Sequence, residues 1–129
     1  MSLLPTQQQL DDFVTSDVDG EILMCNLLKF SDPQEYSRYA ELVAELLEKV
    51  GGRILWAGAA RHLLVGGQPD DWDAVALVTY PSRQAFLAMV ADPGYQSALE
   101  HRDRGLARTA LICCTQVPAD GAMTAPEAG

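Results

Sequence analysis

DWDAVALVTYPSRQAFLAMVADPGYQSALEHR, residues Asp71 to Arg102, decides the fold. Trp72 to Tyr80 is a β-branched and apolar run that predicts a strand. Pro81-Ser82 stops it, and Ser82 is of the type that caps a helix N-terminus. Phe86, Met89 and Val90 then predict a short helix with those side chains inward. Asp92-Pro93 starts a second helical segment, because Asp accepts from the first free amides and Pro suits the first helical position. That segment carries Tyr95, Ala98, Leu99 and Leu106 on one stripe.

Working outward, the same pair of signals recurs at Asp32-Pro33, with Glu35 three residues after Asp32. Tyr36, Tyr39, Val43, Leu46, Leu47 and Val50 follow at helical spacing, and Gly51-Gly52 ends the helix. Glu21 to Phe30 (EILMCNLLKF) predicts a first strand. Arg53 to Val65 (RILWAGAARHLLV) predicts a long second strand, with Gly58 marking a bulge or a close approach. Gly66 to Asp71 is a turn, and Arg108 to Val117 is the fourth strand. Near the start, Thr6 and Gln9 form a capping box that opens a short helix with Leu10, Phe13 and Val14 on one face. This helix is expected on the outside of the core, and Asp17 to Gly20 is a turn. After Pro118 the Ala, Gly, Pro and acidic residues have nothing to bury and predict a disordered tail. The chain thus divides into an N-terminal helix and turn (1–20), a folded core (21–117) and a tail (118–129). The core order is β-α-β-β-α-β, an α+β ferredoxin-like arrangement with a four-stranded antiparallel sheet and an extra N-terminal helix.

The length suits one domain, and 48% apolar residues suffice for a core. A formal charge of −9 repels phosphates and anionic lipid, so nucleic acid and membrane surfaces are excluded as expected partners. No apolar stretch approaches the about 20 residues of a membrane helix, and no basic segment precedes an apolar one at the N-terminus. Cys25, Cys113 and Cys114 lie in apolar runs without C-x-x-C spacing or a histidine at ligand distance. They are expected as buried free thiols of a cytoplasmic protein, with no metal site.

A sheet covered on one face should alternate apolar and polar residues. Here Val75, Leu77 and Thr79 point one way and Ala74, Ala76 and Val78 the other, and the first strand behaves similarly. The helices supply one layer, so the second face predicts a homodimer built sheet to sheet.

Two stretches carry a family resemblance. Trp72-Asp73, Tyr80-Pro81-Ser82, Phe86, Asp92-Pro93, Tyr95-Gln96 and His101-Arg102, together with Met24-Cys25-Asn26-Leu27-Leu28-Lys29-Phe30, resemble the DUF1330 family over residues 20–117. Cys25 stands where that family more usually has Leu. The resemblance implies the dimeric α/β-barrel superfamily, in which two ferredoxin-like protomers join their sheets. It implies no single function, since that superfamily includes cofactor-free monooxygenases, haem-dependent peroxidases, lactone isomerases and plain binding domains.

Candidate site residues are polar groups set in apolar elements. Asn26 interrupts an apolar strand, so its amide either orients a substrate carbonyl or ties down backbone. His101 can act as general base, with Arg102 as an oxyanion partner or the partner of a carboxylate; otherwise His101 is a half-exposed residue near a helix end. Trp56, Arg61, Tyr80 and Tyr36 are expected around a substrate pocket, although Trp56 and the tyrosines equally suit a packed core. Alternation without a bulge puts Trp56 and His62 on one face and Arg61 on the other, and His62 reads as structural. With no cofactor signature, the sequence suggests a small-molecule-binding protein. It is either a cofactor-independent enzyme of oxygenase or isomerase type acting on an apolar or aromatic compound, or a non-catalytic ligand-binding or stress-related dimeric module.

Overall fold

The computed structural model describes residues 3–118, 120, 121 and 123; most of the tail expected to be disordered therefore lies outside the described residues. The elements run α1 (Gln7–Thr15), β1 (Ile22–Phe30), α2 (Pro33–Lys49), β2 (Arg53–Ala59), β3 (Ala74–Tyr80), α3 (Arg83–Ala91), α4 (Pro93–Gly105) and β4 (Leu106–Cys114). All four strands pair antiparallel in the order β2-β3-β1-β4, so the fold is the α+β, ferredoxin-like one. Among the described residues no helix is long and apolar enough to cross a membrane.

Local signals set the helix starts. Thr6 and Gln9 make the reciprocal capping box of α1. The Asp32 carboxylate accepts from the amides of Gln34 and Glu35, Ser82 Oγ from Ala85, and the Asp92 carboxylate from Gly94. Gly51, at φ +82°, ends α2.

The core lies between the helices and one face of the sheet. Ile22 and Met24 of β1 and Tyr80 of β3 meet Val43 and Leu47 of α2, Met89 of α3, and Tyr95 and Ala98 of α4. Gly105 lets the end of α4 approach the start of α2. A Cβ there would lie 2.6 Å from the Tyr36 nitrogen, and the Gly105 carbonyl accepts from the amides of Ser31 and Asp32. Pairing places Leu23, Cys25 and Leu27 beside Val75, Leu77 and Ile112 on the opposite face. No helix contributes to the core on that side, and Ile112 is 48% exposed.

The second strand is shorter than predicted. Its last rung is Ala59 with Ala74, followed by one bond from the Ala60 amide to the Asp73 carbonyl. Asp73 then turns to β1, donating to the Leu28 carbonyl, so residues 60–65 have no strand to pair with. Leu64 and Val65 are 93% and 88% exposed. The bulge is also elsewhere: the register jumps between Ile54 and Trp56, which leaves Leu55 as the extra residue. Gly58 is instead a close approach, where a Cβ would meet the Trp56 ring at 2.5 Å. Trp56 is not core but more than half exposed on β2, an edge strand. The thiols are less buried than predicted as well. Cys113 is exposed, and Cys25 and Cys114 are intermediate, because β4 is an edge and one sheet face is uncovered.

Candidate functional site

The N-terminal segment and α1 lie over the β4 end of the helical layer and enclose a cleft of about 550 Å³. Its roof is Leu3 to Thr6 with Gln9, Leu10 and Phe13; its floor is Met24 with Thr109, Leu111 and Cys113; Phe86 and Arg102 close the sides. Arg102 is the one charged side chain among the described residues that line it.

Two arginines hold the roof. Arg83, only 8% exposed, donates through Nε to the Val18 carbonyl at 2.7 Å and through Nη1 to the carbonyls of Phe13 at 2.8 Å and Val14 at 3.3 Å. It thereby satisfies carbonyls at the C-terminal end of α1 that have no partner within the helix. Arg102 Nη1 donates to the Leu3 carbonyl at 2.6 Å, at the other end of the segment. Phe13 stacks edge-on to Phe86 at 5.6 Å, and Phe86 edge-on to Tyr80 at 5.2 Å.

All four tyrosines gather behind this wall. Tyr39 and Tyr95 share a hydroxyl–hydroxyl bond of 2.9 Å, and the Tyr36 ring lies 5.3 Å from that of Tyr39. Burial pushes the phenols of Tyr36, Tyr39 and Tyr80 upward; the Arg102 charge opposes this at Tyr36 and Tyr39 without reversing it. The phenols therefore stay protonated at neutral pH and serve as hydrogen-bond donors rather than bases.

The sequence-predicted residues separate into several places. Arg102 lines the cleft, and Tyr80 and Tyr36 belong to the aromatic cluster behind it. Asn26 is beside the floor in mid-sheet, where its Nδ2 donates to the carbonyls of Met24 and Ala76 at 3.3 Å each. His101 faces α2 instead, with Nδ1 2.7 Å from Glu35 Oε2. Arg61 and His62, which alternation put on opposite faces, both line a second cleft of about 310 Å³ after β2. There Lys29 bridges Asp71 and Asp73, and the Arg108 guanidinium lies 4.6 Å over the Trp72 ring. Trp56 belongs to neither cleft. No group of His, Cys, Asp and Glu among the described residues could hold a metal ion.

Sequence reasoning missed Arg83 and the roof of the cleft. A signal for Arg83 existed: a cation in the first turn of a helix opposes the macrodipole, so something else must hold it there. The roof had none, because Leu3 and Arg102 are 99 positions apart.

Residues 22–115 match the family described as a domain of unknown function, DUF1330. Among solved structures, the RPA0582 protein of Rhodopseudomonas palustris, of unknown function, is 28% identical. The TM-score is 0.84, over 90% of this chain and 97% of that one. SnoaB of Streptomyces nogalater, a cofactor-independent oxygenase, is 17% identical with a TM-score of 0.51, over 78% of this chain and 98% of its own. A dimeric ferredoxin-like protein of unknown function from Thermobifida fusca is 14% identical with a TM-score of 0.51, over 75% and 92%. The last two likenesses show the fold alone. No curated protein matches the sequence.

Proposed function

The chain belongs to the DUF1330 family, and from that premise we propose that it binds an apolar or aromatic small molecule in the cleft beneath α1 and transforms it without a cofactor. The observation that carries this reading is the cleft itself: about 550 Å³, mostly apolar, with one guanidinium. That volume and lining suit a drug-sized ligand oriented by few polar groups. Oxygenation or isomerisation of an aromatic or enolic compound needs a developing oxyanion stabilised in a dry place. Arg102 takes that role, and the protonated phenols behind the wall add no competing negative charge. His101 is a positioning residue in this reading, since its contact with Glu35 fixes α4 against α2. Asn26 likewise supports the floor through its backbone bonds.

A neutral aromatic dye, N-phenylnaphthylamine, tests the site. It should fluoresce on binding the wild-type protein and lose that signal in Cys113→Trp, whose indole fills the cleft from the floor. Undiminished binding in a folded Cys113→Trp variant would remove the cleft as the site. For catalysis, a screen of phenols and enols by oxygen uptake and product mass should show turnover that falls in Arg102→Met. Turnover indifferent to that change would remove its assignment.

In a second reading the chain is a binding module without turnover, and the uncovered apolar face of Leu23, Leu27, Leu77 and Ile112 serves dimerisation alone. Both readings include a homodimer joined through that face, and the free cysteines suit a reducing cytoplasm. Sedimentation should give a dimer for the wild type and a monomer for Leu77→Asp. A wild type that is only monomeric at micromolar concentration would contradict the dimer.

A further inference from the structure

Arg102 stands at an apolar cleft with a neutral acceptor for its hydrogen bond. The chain has two acidic residues for every basic one, and Lys29, Lys49, Arg104 and Arg108 each meet a carboxylate. Arg102, half-buried against apolar side chains, meets none among the described residues; its hydrogen bond goes to the neutral carbonyl of Leu3. A planar five-donor cation in such a place matches a carboxylate or sulfonate bidentately. The acceptor it holds instead belongs to a segment with little buried surface. No side chain of α1 is buried, and Leu10 is 39% exposed. The firm attachment is at the far end, where Arg83 grips Phe13, Val14 and Val18.

We infer that the ligand is an apolar acid, and that its acid group takes Arg102 from the Leu3 carbonyl and loosens the strap Leu3 to Leu10 relative to the Arg83 anchor. This rests on the cleft being the small-molecule site. The exchange is favourable because an acid group brings an opposite charge and can accept two parallel bonds from the guanidinium, whereas the Leu3 carbonyl is neutral and accepts one. The Leu3 carbonyl, at the outer end of the strap, passes to water. Acid binding and strap opening are then linked, so each promotes the other.

Two dyes with one aromatic skeleton test this. Anilinonaphthalene sulfonate carries the acid group and N-phenylnaphthylamine does not. Each is titrated by fluorescence into the wild type, Arg102→Met and Arg102→Lys, with hydrogen exchange followed over residues 3–15. The wild type should bind the sulfonate more tightly than the neutral dye. Arg102→Met should lose about tenfold or more for the sulfonate and less than about threefold for the neutral dye, with Arg102→Lys between. The sulfonate should speed exchange in the strap of the wild type, and the neutral dye should not. In Arg102→Met the strap should exchange fast from the outset, with no further change on adding sulfonate. Equal losses for both dyes, or a strap slowed by the sulfonate, would overturn the inference and leave the cleft standing. Failure of both dyes to bind the wild type, or undiminished binding of both to Cys113→Trp, would remove the cleft as the site, and the inference with it.

Discussion

Arg83→Met removes the clamp on the end of α1, and the structure sets the size of the effect. A hydrogen bond from a charged donor contributes about 1.5–3 kcal/mol net. The bonds to Val18 and Phe13, at 2.7 and 2.8 Å, are of full strength, and the bond to Val14, at 3.3 Å, is weak. Simple addition of the two strong bonds gives about 3–6 kcal/mol. Two effects reduce it. Val14 is 50% exposed, so the released carbonyls regain water, and Met keeps the packing of the arginine stem. The expected loss is about 2–3 kcal/mol. Urea unfolding should show this as a lower midpoint with an unchanged slope, because the folded core stays the same. Hydrogen exchange should quicken over residues 13–18 more than in β1. Arg83→Lys, with one donor tip in place of a fork, should fall between wild type and Met. A loss below about 0.5 kcal/mol for Arg83→Met would refute the clamp, since that is the range of an ordinary surface substitution.

Other substitutions probe other contacts. Gly105→Ala should destabilise by about 3 kcal/mol in thermal or urea melts, because its Cβ would stand 2.6 Å from the Tyr36 nitrogen; stabilisation, as helix propensity alone favours, would contradict the close approach. Tyr39→Phe and Tyr95→Phe should each lose about 1 kcal/mol, and the double variant little more than either, because both delete the same hydroxyl bond. The Asp73 carboxyl is held below the usual carboxylate range chiefly by the Phe30 amide, with Lys29 adding to this and desolvation opposing it. Its folded pKa is depressed, so its stabilisation is present above the unfolded value of about 3.9 and is lost as pH falls through the lower folded value. Asp73→Asn should therefore lose less stability than the wild type between about pH 4 and pH 2; parallel pH profiles would count against the contact.

The helix starts were legible because capping is local. Thr6 with Gln9, Asp32 with Pro33, Ser82, and Asp92 with Pro93 each act within three residues. The end of β2 was not, because its ladder depends on where β3 begins, and the apolar run Leu63-Leu64-Val65 reads as strand whether or not a neighbour exists. The site was legible only in part. Arg102 stood out as a cation on an apolar stripe, and it does line the cleft. The wall that faces it comes from the N-terminal segment, whose position is fixed by Arg83 and by backbone carbonyls that no side-chain pattern reveals. Asn26 shows the converse: an amide in an apolar strand is a conspicuous letter, yet its donor is occupied by the carbonyls of Met24 and Ala76.

The extra residue at Leu55 has a consequence for life in a crowded solution. β2 is an outer strand, and a straight outer strand offers a regular row of free amides and carbonyls on which foreign chains can polymerise. An inserted residue breaks the spacing of that row and twists it, so an incoming strand in register on one side of Leu55 is out of register on the other. Ile54, Leu55 and Trp56 are all more than half exposed, so this stretch of the rim is apolar as well as open. The kink sits where a fibril would otherwise find its template.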